Sequence, residues 1–138
     1  MRHFESQASL MTTKSSQEIW ALWVDAPNWT RWDNFSKVGI DGEFVKGSTI
    51  TCYSEGEMTS LHMVIVSSVT GTEFVTQSNL PFGNITAYHK LKSLDGMMQI
   101  THMMSAEISD EMADMFASKI WPSIQSGVLE AVNRLVNL

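Results

Sequence analysis

Cysteine is nearly missing from the 138 residues: Cys52 stands alone, so no internal disulfide can form and no CxxC pair can hold zinc. A lone thiol suits a reduced, cytoplasmic compartment better than a secreted one. Positive charge is scarce as well. Nine Lys and Arg face 15 Asp and Glu, a formal charge of −6, and no basic run offsets it. Affinity for a phosphate backbone comes from clustered Lys and Arg, so no nucleic-acid partner is expected. Long apolar runs are missing too. The longest aliphatic stretch, Met63-Val64-Ile65-Val66, falls far short of a membrane span. The opening Met1-to-Gln7 segment lacks the apolar centre of a signal peptide and is interrupted by Glu5. No stretch rich in Pro, Gly or Ser marks a linker, so residues 1–138 read as one domain. A chain of this length buries roughly two-thirds of its unfolded surface and needs no staple. With 43% apolar and 17% charged residues, its composition is that of a folded chain rather than a disordered one.

The residues present alternate first and wind later. Phe4, Ser6, Ala8 and Leu10 share one face and Glu5, Gln7 and Ser9 the other, the pattern of a half-buried strand. Ser15 or Ser16 ahead of Gln17 and Glu18 supplies a helix cap. Ile19, Trp20, Trp23 and Val24 follow at helical spacing, and Ala26-Pro27 ends the segment. Asn28 stands where it would cap a second short helix carrying Trp29 and Trp32. Strands are then expected around Val38–Ile40, Ile50–Cys52, Thr59–Ser68, Glu73–Ser78, Ile85–Lys92 and Met97–Glu107. The last two flank Asp95-Gly96, a strong hairpin signal.

Past Ser109 the period changes. Met112, Phe116, Ile120, Ile124, Val128, Val132 and Leu135 recur every three or four residues, which predicts one long amphipathic helix to Leu138. Pro122 should bend it and Gly127 weaken it. A long C-terminal helix beside one curved antiparallel sheet is an α+β domain. Seven strands wrapped around such a helix leave space for a cavity.

The ordered landmarks resemble the START-like, helix-grip superfamily (SRPBCC), in its polyketide cyclase/dehydrase branch. They are Ile19-Trp20-Ala21-Leu22-Trp23-Val24-Asp25, Asn28-Trp29-Thr30-Arg31-Trp32-Asp33, Asp41-Gly42-Glu43-Phe44-Val45-Lys46-Gly47-Ser48 and Val69-Thr70-Gly71-Thr72-Glu73-Phe74. The hairpin from His89 through Asp95-Gly96 to Thr101-His102 and the proline-bearing final helix complete the series, which runs from about Phe4 to Val136. Where the family often carries Pro-Gly before the fifth strand, this chain has Thr70-Gly71. The resemblance implies a helix-grip fold with two short helices after the first strand and a cavity between sheet and final helix. It also implies ligands such as lipids, sterols, polyketides or plant hormones. Some members cyclise or dehydrate; others regulate a chaperone ATPase through their surface. No universal catalytic motif carries over, and no cofactor is implied.

Among candidate site residues, the histidines are the sharpest. Ile85, Ala87, His89 and Leu91 share one face of their strand, and Met98, Ile100, His102, Met104 and Ala106 one face of the next. If Asp95-Gly96 is a two-residue turn, Leu94 lies opposite Met97 and His89 directly opposite His102, both pointing inward. Two inward imidazoles can hydrogen-bond a ligand oxygen, act as acid and base, or simply be satisfied polar groups. Burial and mutual repulsion favour their neutral forms. No third ligand for a metal accompanies them. His62 is expected on the surface and Cys52 as an inward apolar filler. Trp20, Trp23, Trp29 and Trp32 read as core packing before they read as a ligand clamp. Met98, Met104, Met112 and Met115 gather where an adaptable ligand wall or ordinary core filling would serve equally.

The expectation is therefore a monomer or homodimer that binds a small hydrophobic molecule in a cavity lined by His89, His102, Ile100, Met104, Phe116 and Ile120. The alternatives are a polyketide cyclase/dehydrase-type enzyme working through His89 and His102, and a protein-interaction module of the chaperone-regulator kind.

Overall fold

The computed structural model describes residues 1–54 and 60–138. Alternating side chains settle a large part of the chain into strands. β1 (Arg2–Thr12) leads into α1 (Ser16–Val24) and a 3₁₀ helix over Ala26–Arg31. β2 (Lys37–Ile40), β3 (Thr49–Tyr53), β4 (Ser60–Val69), β5 (Glu73–Leu80), β6 (Gly83–Leu94) and β7 (Met97–Ile108) follow, then α2 (Asp110–Lys119) and α3 (Trp121–Val136). The strands form one antiparallel sheet in the order β1-β7-β6-β5-β4-β3-β2. Thr59, expected to open β4, lies outside the described residues.

Local chemistry accounts for the joints. Ser15 caps α1 by accepting from the Glu18 N–H at 3.1 Å, while the Glu18 carboxylate accepts from the Ser15 N–H, a reciprocal capping box. Asp95 and Gly96 both take positive φ (52° and 81°), the requirement of the tight hairpin between β6 and β7. Leu94 pairs with Met97, and the register runs unbroken from there to Gly83 opposite Ile108.

Three expectations give way. The final helix is two helices, α2 and α3, because Pro122 has no N–H for the Ser118 carbonyl and its ring crowds that turn. The path turns at Ile120, and Pro122 then falls in the first turn of α3, where a missing donor costs nothing. The second short helix is a 3₁₀ turn that starts at Ala26, before Asn28. Asn28 does not cap it but donates to the Asp25 carboxylate at 2.7 Å. The connection expected over Asn79-to-Gly83 shrinks to Pro81-Phe82, since Asn79 pairs with Asn84 and Leu80 with Gly83.

The inward faces bury two clusters. The larger joins Ile19, Trp23 and Trp29 of the short helices and Trp32 just past them to Ile50, Ile65, Phe74 and Ile100 of the sheet and Val132 and Leu135 of α3. The smaller joins Phe4, Ala106 and Ile108 to Phe116 and Trp121 around the α2–α3 joint. No helix of the described residues is long and apolar enough to cross a membrane.

Candidate functional site

A cavity of about 310 Å³ separates the sheet from α3, between the two clusters. Small side chains create it. Thr76, Ala87 and Met104 form one cross-strand row of the inner face, and Ser78, Ile85 and Ala106 the next. Opposite them α3 presents Ser123, Gly127 and Ala131, spaced one turn apart on one helix face. Neither surface reaches far enough to meet the other. Trp29, Trp32 and Met63 close one flank, and Ile124 and Val128 come from the helix.

Next to the Thr76–Ala87–Met104 row lies a row of rings. Phe74 is opposite His89, and His89 opposite His102. Adjacent strands place such partners within ring-stacking distance. Phe74 and His89 stack at 4.3 Å and 5°, and His89 and His102 at 4.2 Å and 24°. Both histidines are buried and line the cavity. Burial pushes the His89 pKa well below the usual histidine value, and the neighbouring His102 pushes it the same way. Burial pushes His102 down to about 4, against a backbone hydrogen bond at Val128 that acts in the other direction. At neutral pH the pair is two neutral imidazoles. Each then offers one donor and one acceptor nitrogen.

Hydrogen bonding within the protein leaves the polar atoms in and around this row incomplete. His89 has no partner at either ring nitrogen, His102 none at Nδ1, and Trp23 and Trp32 none at Nε1. The lining also carries charge. Asp33 is half-buried, its carboxyl raised by burial against the lowering influence of the Asn34 N–H and the Arg134 charge. Glu130 adds a second acid. The Arg134 guanidinium donates to the carbonyls of Asp33, Thr30 and Arg31 at 3.3–3.4 Å, tying α3 to the end of the 3₁₀ helix. Among the described residues, no group of three or more His, Cys, Asp or Glu is placed to hold a metal ion. Cys52 is buried in the larger cluster, and burial raises its pKa to about 12, so its thiol stays protonated. His62 is exposed and faces Thr51 and Ser60.

Of the residues expected to line a cavity, His89, His102 and Met104 come together there. Ile100, Phe116 and Ile120 do not. Ile100 lies one row beyond His102 and packs in the larger cluster. Phe116 is drawn into the smaller cluster against Phe4 and Trp121, with ring centroids 5.0 and 6.1 Å away, and Ile120 packs there too. Both sit before the helix break at Pro122, which turns α2 away from the face that α3 presents to the cavity. Trp29 and Trp32, read from the sequence as core, are core and cavity wall at once. Thr76, Ala87 and Ala131 line the cavity without any sequence motif to mark them. Their signal was the run of small residues on an inward face.

No family model matches the chain, and no curated protein matches its sequence. Solved structures do match its shape. Truncated norcoclaurine synthase from Thalictrum flavum superposes with a TM-score of 0.72 at 12% identity, covering 98% of this chain and 94% of that one. A hypothetical protein from Helicobacter pylori gives 0.77 at 11%, covering 97% and 86%. The di-domain ARO/CYC StfQ of the steffimycin biosynthetic pathway gives 0.77 at 11%, covering 98% of this chain and 50% of its own. At such identities the likeness establishes the fold.

Proposed function

We propose that this chain, which has the START-like helix-grip fold, binds a small hydrophobic molecule in the cavity between its sheet and α3. The observation that carries the reading is the cavity itself: about 310 Å³, walled by Trp29, Trp32, Met63, Ile85, Met104 and Val128, with a few polar groups among them. Apolar walls with sparse, placed polar atoms are the general form of a small-ligand site. Met63 and Met104 add walls that adapt to ligand shape. Native mass spectrometry of gently purified protein, repeated under denaturing conditions, tests this. A bound organic molecule released on denaturation is the expected result. Protein that stays at its bare chain mass, and remains so after incubation with a panel of hydrophobic compounds, would overturn it.

The stacked imidazoles favour a second reading, an enzyme of the cyclase/dehydrase type. A neutral His102 can take a proton from a carbon flanked by carbonyls while the neutral His89 beside it donates to a carbonyl oxygen. On this reading His102→Ala lowers turnover of a poly-keto substrate at least a hundredfold while the circular dichroism spectrum is kept.

A further inference from the structure

The charges in the lining bear on the ligand as directly as the apolar walls do. Among the described residues two acids, Asp33 and Glu130, and one base, Arg134, line the cavity. They lie together. Glu130 and Arg134 are one turn apart on α3, and the Arg134 guanidinium reaches the Asp33 main-chain carbonyl at 3.4 Å. The Asp33 carboxyl feels both charges, Arg134 lowering its pKa and Glu130 raising it. Both acids are open to a ligand, since Asp33 is half-buried and Glu130 exposed.

Within this trio the positive charge is committed and the negative charge is not. The Arg134 guanidinium already gives its N–H groups to three main-chain carbonyls, those of Asp33, Thr30 and Arg31. Among the described residues neither Asp33 nor Glu130 belongs to an ion pair. The Asp33 carboxylate accepts one hydrogen bond, from the Asn34 N–H to Oδ1 at 2.7 Å, which leaves Oδ2 without a donor. A partly desolvated carboxylate with a like charge beside it gains from a positive group that arrives with a ligand. An anion would meet two acids and a base already engaged. The chain as a whole, at a formal charge of −6, likewise draws cations toward it. Size adds a limit: a cavity of about 150 Å³ accommodates benzene, and this one has about 310 Å³. That suits an apolar body of about two rings.

Building on the cavity reading above, we infer that the ligand is an apolar amine, with a body of about two rings against the cavity walls and a positively charged nitrogen paired with Asp33. The ammonium donates to Asp33 Oδ2, a charge-assisted hydrogen bond, and Glu130 adds attraction from its exposed position. Asp33 is thereby a specificity-determining residue.

Isothermal titration of the full chain with naphthylmethylamine, naphthylmethanol and naphthoate tests the inference at about pH 7.5, where the first is a cation and the last an anion. The amine should bind about tenfold more tightly than the alcohol of the same shape, and naphthoate more weakly than either. Asp33→Asn keeps the shape and an oxygen for the Asn34 N–H but removes the charge. It should cut the preference for the amine to about twofold while leaving the alcohol nearly unchanged. Glu130→Gln should cut it less, because an exposed charge is screened. Equal binding of amine and alcohol, or tightest binding of naphthoate, would overturn the amine assignment and leave the cavity reading standing. An unchanged preference in folded Asp33→Asn protein would overturn Asp33 as the partner. The wild-type comparison decides the charge of the ligand even if the variant does not fold. Failure of every probe would remove the cavity reading and this inference together.

Discussion

Burial penalises an imidazolium, and at His102 the folding equilibrium carries the consequence. The folded pKa is about 4 against 6.5 for a free histidine, so between those values the unfolded chain binds more protons than the folded one. Stability from this residue is complete above about pH 6.5 and is lost as pH falls toward about 4, on the order of 3 kcal/mol in all. His89 is shifted in the same direction. Urea midpoints measured at about pH 5 and about pH 7.5 should therefore show a clear loss at the lower pH. His102→Phe should shrink that loss, and an unchanged difference in the variant would contradict the assignment. The pairing of the two histidines was legible in the sequence because a two-residue Asp95-Gly96 turn fixes every partner up the hairpin. The place of Trp32 in the cavity wall was not: a tryptophan in an aromatic-rich segment reads the same whether it meets core alone or a cavity as well, and tertiary packing decides.

Among the elements, the β5–β6 connection and α3 are where single glycines matter most. Gly83 has φ of 154°, and a Cβ there would overlap the Glu107 carbonyl. Gly83→Ala should cost about 2 kcal/mol or more, read as a lower urea midpoint. Gly127 is the opposite case. It lies inside α3 with helical geometry, and a Cβ there meets nothing within 4 Å. Gly127→Ala should raise stability by about 0.5–1 kcal/mol, measured the same way. A loss would mean that α3 approaches the sheet more closely than described. The strands were legible because alternation survives all along them, and the Ser15–Glu18 cap is a local signal. The split of the last helix was only half legible. Periodicity runs through Pro122 unchanged, so the sequence announced a bend, while the crowding of the Ser118 turn decides that the path ends at Ile120 and begins again.

Taken whole, the molecule is a sheet and a helix held apart where both carry small side chains. The sheet supplies Thr76 and Ala87, and the helix Ser123, Gly127 and Ala131. Larger clusters on either side keep the two surfaces from collapsing together. The helix-grip architecture could be read from ordered landmarks, yet the position of the cavity along α3 could not. It depends on which helical turn faces which row of the sheet, and that follows from the Pro122 break. Phe116 and Ile120 consequently pack with Phe4 rather than facing the cavity. Filling the gap is the direct test. The measurement is a titration of nitrogen-labelled protein with the uncharged two-ring probe naphthol, followed by amide shifts in the wild type and in Ala87→Phe. The account predicts saturable shifts centred on Thr76, Ala87, His102, Met104 and Val128 in the wild type, and their loss in a variant that remains folded. Shifts centred on another surface, or persisting unchanged in Ala87→Phe, would contradict it.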